Sequence, residues 1–558
     1  MKLIKLIPCF LLLFKLSVFA QQPATIRIDA NNKIGDMYPV WAWFGHDEPN
    51  YTYMKDGRKL LSELAALSPV PVRMRVHNLL TSGDGKAALK WGSTNAYTED
   101  ANGKPIYNWH LVDSIFDTYI KLGMKPYAQI GFMPEALSTH PTPYRHYWKP
   151  GDNYDDVYTG WAYPPKDYNK WEELVYQWVK HSVERYGKAE VESWYWEVWN
   201  EPNIGYWKGS MQEFFKLYDY AAQGVKRALP TAHVGGPEVA GGSSPGGMKF
   251  LNAFIKHCIA DTNYATGKIG SPIDVISFHA KGQPTLVNGH VRMNMAPQIR
   301  DIREGFKIVA SYPETKNIPI VIGESDPEGC AACGMATNPS NAYRNGTMYS
   351  SYTAASIARE YQLADSLGVN FMGSVSWSFE FEDQPWFYGF RDLATNGVDK
   401  PVLNVFRMLG MMKGKRLKVN GSEMYPLKTV ADSSIRKSTD IGALASIDKK
   451  EMTVLLWNYH DDDQQDTART VNLRIDHLPP TLIKLTQYRI DNQHSNAYEV
   501  WKKMGSPQKP PPAQVKELEK AGQLQKFGKP VTLLAKSGLS GATVQLPRQG
   551  VALLKFSW

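Results

Sequence analysis

Residues 168–203, YNKWEELVYQWVKHSVERYGKAEVESWYWEVWNEPN, hold one unit of the fold in miniature. From Tyr168 to Tyr186 apolar residues recur at helical spacing, with Trp171, Leu174, Val175, Trp178 and Val179 on one stripe. A short β-rich run follows, Trp194 to Asn200, and it ends abruptly on Glu201 and Pro202. A helix leading into a buried strand is the repeating element of parallel α/β proteins.

The same alternation recurs along the chain. β-rich runs lie at Tyr38 to Gly45, Val70 to His77, Met124 to Gly131, Trp194 to Asn200, His233 to Pro237, Ile273 to His279, Ile318 to Glu324 and Val369 to Phe379. Helix-period stretches such as Met211 to Ala228 separate them, and Val402 to Met412 follows the last. Eight βα units closing on themselves predict an α/β fold of the (β/α)8 TIM-barrel type. The competing doubly wound sheet lacks support, since no G-x-G-x-x-G follows the first strand and no Walker A motif occurs.

Around this barrel, expected over 36–414, the remaining segments differ in character. Residues 1–20 carry Lys2 and Lys5 ahead of a largely apolar run and end on Val18 and Ala20, the pattern of a cleaved signal peptide. Residues 21–35 contain a strand, Thr25 to Asp29, too early for the barrel and suited to an edge of the C-terminal domain. From 415 to 558 short alternating runs, including Glu451 to Tyr459 and Val551 to Phe556, predict an all-β sandwich. Within it, Pro507 to Lys529 reads as an ordered excursion, three prolines followed by a charged helical stretch.

Composition narrows the partners. The formal charge is +8, and loss of Lys2, Lys5 and Lys15 with the leader reduces it to about +5, with charges scattered along the chain. Neither nucleic acid nor an anionic membrane is implied, and after leader cleavage no stretch reaches the roughly 18 apolar residues of a membrane helix. The expected location is periplasmic or extracellular. Cys258, Cys330 and Cys333 are too few for a disulfide framework. The C-x-x-C at 330–333 lacks a second pair at zinc-finger spacing and a thioredoxin-like surround, so a loop staple or inert thiols outrank a redox or zinc site. Whether copies of the chain associate is left open.

In a TIM barrel the polar residues at strand C-terminal ends face the catalytic mouth. Here these include His77, Glu201, His279 and Glu324. Two acids from different strands suit glycoside hydrolysis, which needs one group to protonate the leaving oxygen and one carboxylate beneath the anomeric carbon. Glu201 follows WYWEVWN, and Pro202 biases it away from helical dihedrals. Asn200 supplies an amide for a sugar hydroxyl. Glu324 closes the strand IPIVIG, although Asp326 and Glu328 compete for the role and an acid there could equally cap a helix. A lone histidine is more often a satisfied core residue than a ligand, and only the shared strand-end position promotes His77 and His279. At strand eight, SWSFEFEDQPWFYGF sets Trp377 and other aromatics beside Glu380, Glu382 and Asp383, suited to a neutral pyranose or, more plainly, to a hydrophobic corner with solvated acids. No H-E-x-x-H or similar cluster suggests a metal, and the chemistry needs no cofactor.

At WYWEVWNEPN, IDVISFHAKG, VIGESDPEG, SWSFEFEDQP, RIDNQHSNAYEVWKKMGSP and LPRQGVALLKF the chain resembles glycoside hydrolase family 39, the β-xylosidase and α-L-iduronidase family of the clan A barrels. The resemblance spans nearly all of the mature sequence. It implies retention of anomeric configuration, with Glu201 as acid/base and Glu324 as nucleophile. It also implies that His77, Asn200 and His279 line the sugar subsite, joined by Trp377, Glu382 and Asp383. The HSNAYEVWKKMGSP segment is similar to the β-xylosidases, and the D-P after Glu324 to the iduronidases. The insertion EGCAACG departs from both. The leading expectation is an exo-acting β-xylosidase on oligosaccharides or glycosides. An iduronidase-like enzyme would need Lys281 or Arg391 for a substrate carboxylate; a barrel that binds carbohydrate without turnover is the reading from another class.

Overall fold

The computed structural model describes residues 22–464, 466–535 and 540–558; the expected leader, 1–20, lies outside them. Eight parallel strands close in the order of the chain: Trp43–His46, Arg73–Val76, Lys125–Ile130, Tyr195–Val198, His233–Val239, Val275–Lys281, Ile320–Asp326 and Phe371–Trp377, with the last pairing to the first. The first strand starts later than its apolar run suggests. Pro39 has no N–H for a ladder, and two tight turns, Val40 N–H to Tyr38 O and Ala42 N–H to Pro39 O, occupy Tyr38–Ala42 instead.

The helices form where periodicity places them. Tyr168–Tyr186 buries Trp171, Leu174, Val175, Trp178 and Val179 against the barrel; Asp167 caps its start by accepting from the N–H groups of Asn169 and Lys170. Met211–Ala228 begins with a reciprocal capping box between Ser210 and Glu213. After the barrel, Pro401–Gly410 completes the last βα unit.

The C-terminal strands join one ten-stranded mixed sheet. The N-terminal strand, Ala24–Asp36, sits inside it, antiparallel to Lys415–Gly421 and parallel to Arg469–Asp476. Inward residues from both ends of the sheet, Ile26 and Val471 with Ile483, Leu485 and Phe556, share a single buried cluster, so the sheet folds over its own core. The helix Pro512–Gly522, part of the excursion, packs Leu518 with Trp501, Ala497, Val398 and Phe387, bracing the loop after barrel strand eight. Helix Thr347–Leu367 ties the two parts together: Arg359 donates to Asp440, which also accepts from the Trp457 indole, each at 2.7 Å and all buried.

Candidate active site

Strand periodicity builds the site. Side chains two apart on a strand share a face, so His279 and Lys281 on strand six point the same way, as do Glu324 and Asp326 on strand seven. These strands are neighbours in register, with Glu324 opposite His279 and Asp326 opposite Lys281. A bulge at Gly323 adjusts the approach, and the residue there must be glycine: a Cβ would lie 1.9 Å from Glu238 Oε2. Glu201 lies just beyond strand four at φ 45°, its N–H donated to Glu238 O at 2.9 Å.

These groups meet at His279. Its Nδ1 is 2.9 Å from Glu201 Oε1 and 3.8 Å from Glu324 Oε1, and its Nε2 is 3.0 Å from Glu238 Oε2, close but poorly aligned for a hydrogen bond. Burial alone would depress the imidazole, but the charge of Glu324 and the contacts with Glu201 and Glu238 outweigh it and hold His279 up at about 9. It is a cation at neutral pH.

The two candidate carboxylates have unlike surroundings. Glu324 is 9 % exposed; burial alone would raise its pKa, yet the charges of Lys281, His279 and Arg75 together hold it well below the usual carboxylate range. Lys281 Nζ donates to Glu324 Oε2 at 2.7 Å and Arg75 Nη1 to Oε1 at 3.3 Å. Glu201 is 14 % exposed, and His279 is its sole ion-pair partner among the described residues.

Both acids line a cavity of about 380 Å³, within the roughly 300–1,000 Å³ usual for small-molecule sites. Trp377 is part of its wall, its ring 4.8 Å from the Arg75 guanidinium and 4.4 Å from the His77 ring. Gly45 makes room for that indole, since a Cβ there would fall 2.3 Å from it. His77, Asn200 and His279 are buried just beneath the lining. His77 Nδ1 pairs with Asp47 at 2.8 Å, and burial together with Arg75 pushes the ring down to about 4, so it is neutral; its Nε2 has no protein partner among the described residues. Asn200 Oδ1 accepts from Arg75 Nη2 at 2.9 Å.

Glu382 and Asp383, expected at the sugar, do not line this cavity. The Glu382 carboxylate instead accepts the Asp56 N–H at 2.8 Å, at the start of the first helix, and Asp383 is exposed with its N–H bonded to Asn396. A helix N-terminus competes well for a carboxylate. Cys330 and Cys333 form a disulfide, and Cys330 and Ala331 reach the cavity wall. Arg344, fully buried, donates to the carbonyls of Ala331 and Cys333 and to Glu328, fixing this loop.

The sequence reading missed the charged floor. Arg75 lies between Glu197 at 2.7 Å and Glu238 at 3.6 Å, all three fully buried. The signal was present: Arg75, Glu197 and Glu238 each interrupt an apolar strand, and a charge inside a buried strand requires a partner. Asp47 with Lys90, paired at 2.5 Å, and the tyrosines 154, 158 and 206 also line the cavity and come from segments between the barrel strands and the main helices, Tyr154 from a single 3-10 turn and the others from irregular loops.

A TIM barrel presenting a clamped carboxylate on strand seven and a second acid after strand four is the frame of a glycosidase. The chain belongs to family 39 of the glycosyl hydrolases, whose family model matches residues 24–534. A β-xylosidase of Geobacillus stearothermophilus is 28 % identical over 429 residues, 76 % of this chain and 75 % of the relative. An α-L-iduronidase of Mus musculus is 24 % identical over 527 residues, 88 % of this chain and 74 % of the relative. Among solved structures, a monomeric β-xylosidase from Caulobacter crescentus CB15 superimposes with a TM-score of 0.71 at 21 % identity, covering 96 % of this chain and 99 % of its own, which supports the shared fold. The chain is therefore a glycosidase, and a binding protein without turnover is set aside.

Proposed function

We propose that the protein is an exported, exo-acting, retaining β-xylosidase acting on oligosaccharides or glycosides, with Glu201 as acid/base and Glu324 as nucleophile. The observation that carries this reading is the convergence of two carboxylates with unlike surroundings on one imidazole nitrogen. Glu324, clamped by Lys281 and Arg75, stays ionised and ready to attack. Glu201, more exposed and with a single cationic neighbour where Glu324 has several, is the better placed of the two to take up a proton and deliver it to a leaving oxygen. Their facing oxygens can be no farther apart than the 2.9 and 3.8 Å to His279 Nδ1 laid end to end. That favours a retaining pair, separated by about 5–5.5 Å, over most of the roughly 6.5–9.5 Å range of inverting pairs.

The cavity's charge balance supports a neutral sugar. Lys90 is matched by Asp47, Lys281 by Glu324 and Asp326, and Arg391 by Asp326 and Glu328, so each cation of the lining has a carboxylate partner. The Cys330–Cys333 disulfide fits an oxidising compartment. The deciding experiment is hydrolysis of aryl glycosides differing in sugar and linkage, with product configuration followed by proton NMR. Retained β-xyloside hydrolysis in Glu324→Ala, or an inverted product, refutes the assignment. A second reading, an iduronidase-like enzyme, is favoured by the presence of Lys281 and Arg391 on one wall; activity restricted to uronides would establish it.

A further inference from the structure

Tyr158 lines the catalytic cavity, and the same residue lines a second cleft of about 430 Å³. The side of the cavity on which Tyr158 lies is set by chemistry. The acid must reach the oxygen of the departing group, so the residues continuous with Glu201 mark the leaving-group side. Ile204, whose N–H bonds to Glu201 O at 3.1 Å, and Tyr206, 5.4 Å ring to ring from Tyr158, continue that wall outward. Glu324, Lys281 and Arg391 belong to other elements of the lining, strands six and seven and the loop after strand eight.

The second cleft is furnished for a sugar. His140 and Tyr163 stack at 4.0 Å between ring centroids and offer an aromatic face to a pyranose. Arg145, Asp155 and Asp156 also line the cleft, and none of the three has an ion-pair partner among the described residues. A guanidinium and carboxylates with unused hydrogen-bonding capacity suit vicinal hydroxyls. Elsewhere around the mouth, cations and acids are paired with each other.

We infer that the cleft beyond Tyr158 is a leaving-group subsite that holds the second and third sugar units of an oligosaccharide whose terminal unit occupies the catalytic cavity. This inference rests on the reading of Glu201 as the acid. It makes an oligosaccharide, and not a disaccharide or a small aryl glycoside, the substrate the protein is shaped for.

The test uses the full-length protein with β-1,4-xylo-oligosaccharides of two, three and four units and an aryl β-xyloside with a small leaving group. In the wild type kcat/KM should rise roughly three- to tenfold from two units to three or four, an increment expected of one stacking contact with its hydrogen bonds. Tyr163→Ala and Arg145→Ala should remove that rise, lowering the ratio of tetrasaccharide to aryl-glycoside kcat/KM by a similar factor. Calorimetry of the same oligosaccharides on Glu201→Gln reads the cleft without turnover, so loss of the catalytic reading is distinguishable from loss of the subsite. Length-independent kcat/KM and binding, or variants that depress aryl glycoside and tetrasaccharide equally, overturn the inference.

Discussion

Replacing Lys281 with methionine isolates the electrostatic clamp on Glu324. The ammonium lies 2.7 Å from Glu324 Oε2 and 2.5 Å from Asp326 Oδ2, and it contributes the largest of the charge effects that offset the burial of Glu324. A nearby opposite charge depresses a carboxyl pKa by about 1–3 units. Its removal should therefore raise the Glu324 pKa by that amount, equivalent to roughly 1.4–4 kcal/mol of lost preference for the ionised form. The sign follows from the direction of the shift. A depressed carboxylate contributes stability above its ordinary pKa and loses it as the pH falls through the lower, folded value. In the wild type the nucleophile titrates well below the ordinary carboxylate range, so it sets no acid limb near neutrality. In Lys281→Met the acid limb of kcat/KM should move toward or above the ordinary carboxylate range, and the folded state should lose stability at neutral pH. The assay is a pH profile of aryl glycoside hydrolysis from about pH 3 to 9, with thermal denaturation at each pH. An active variant whose acid limb stays where the wild type has it would show that Lys281 does not set the charge state of Glu324.

Three further outcomes are expected. Glu201→Ala should lower turnover of glycosides with poor leaving groups by about 10²–10⁴-fold while sparing good ones, read from rates against leaving-group pKa. His279, raised from 6.5 to about 9, adds stability that is fully present below pH 6.5 and lost as the pH climbs through about 9; His279→Gln should remove this pH-dependent stability, on the order of 3 kcal/mol, as measured by denaturant unfolding at pH 6 and pH 10. Asp440→Ala strands buried Arg359 and should destabilise the protein by about 3–5 kcal/mol, visible as a lower melting temperature with kcat of the folded enzyme little changed.

Much of the barrel was legible because local pattern and global fold agree. Helices with single apolar stripes and strands of apolar runs leave few alternatives, and Tyr168–Tyr186 and Met211–Ala228 form over the residues their periodicity marks. Glu201 and Glu324 were legible as the residues at which apolar strands stop. Arg75 and Glu238 stand out only as charges inside apolar strands; which groups pair with them is not legible, because those partners lie across the barrel and sequence spacing carries no information on that distance. The acids after strand eight misled for a related reason. Composition set aromatics beside Glu380 and Glu382, but the loop directs these carboxylates to the N–H groups of Gly397 and Asp56. The pairing of Lys281 with Glu324 and Asp326 shows only once strands six and seven are in register.

The position of Ala24–Asp36 inside the C-terminal sheet bears on how the protein is made. This strand is among the first segments translated, yet its partners Lys415–Gly421 and Arg469–Asp476 emerge some 380 and 430 residues later. At about 5–20 residues per second, it waits from roughly 20 s to more than a minute with both edges open. An unpaired strand rich in backbone donors and acceptors is an aggregation hazard. The charged and polar tail of the strand, DANNKIGD, dilutes that hazard during the wait. A chain cut after the barrel would never close it, so the barrel produced alone should be less soluble than the whole protein even though its own eight strands are complete.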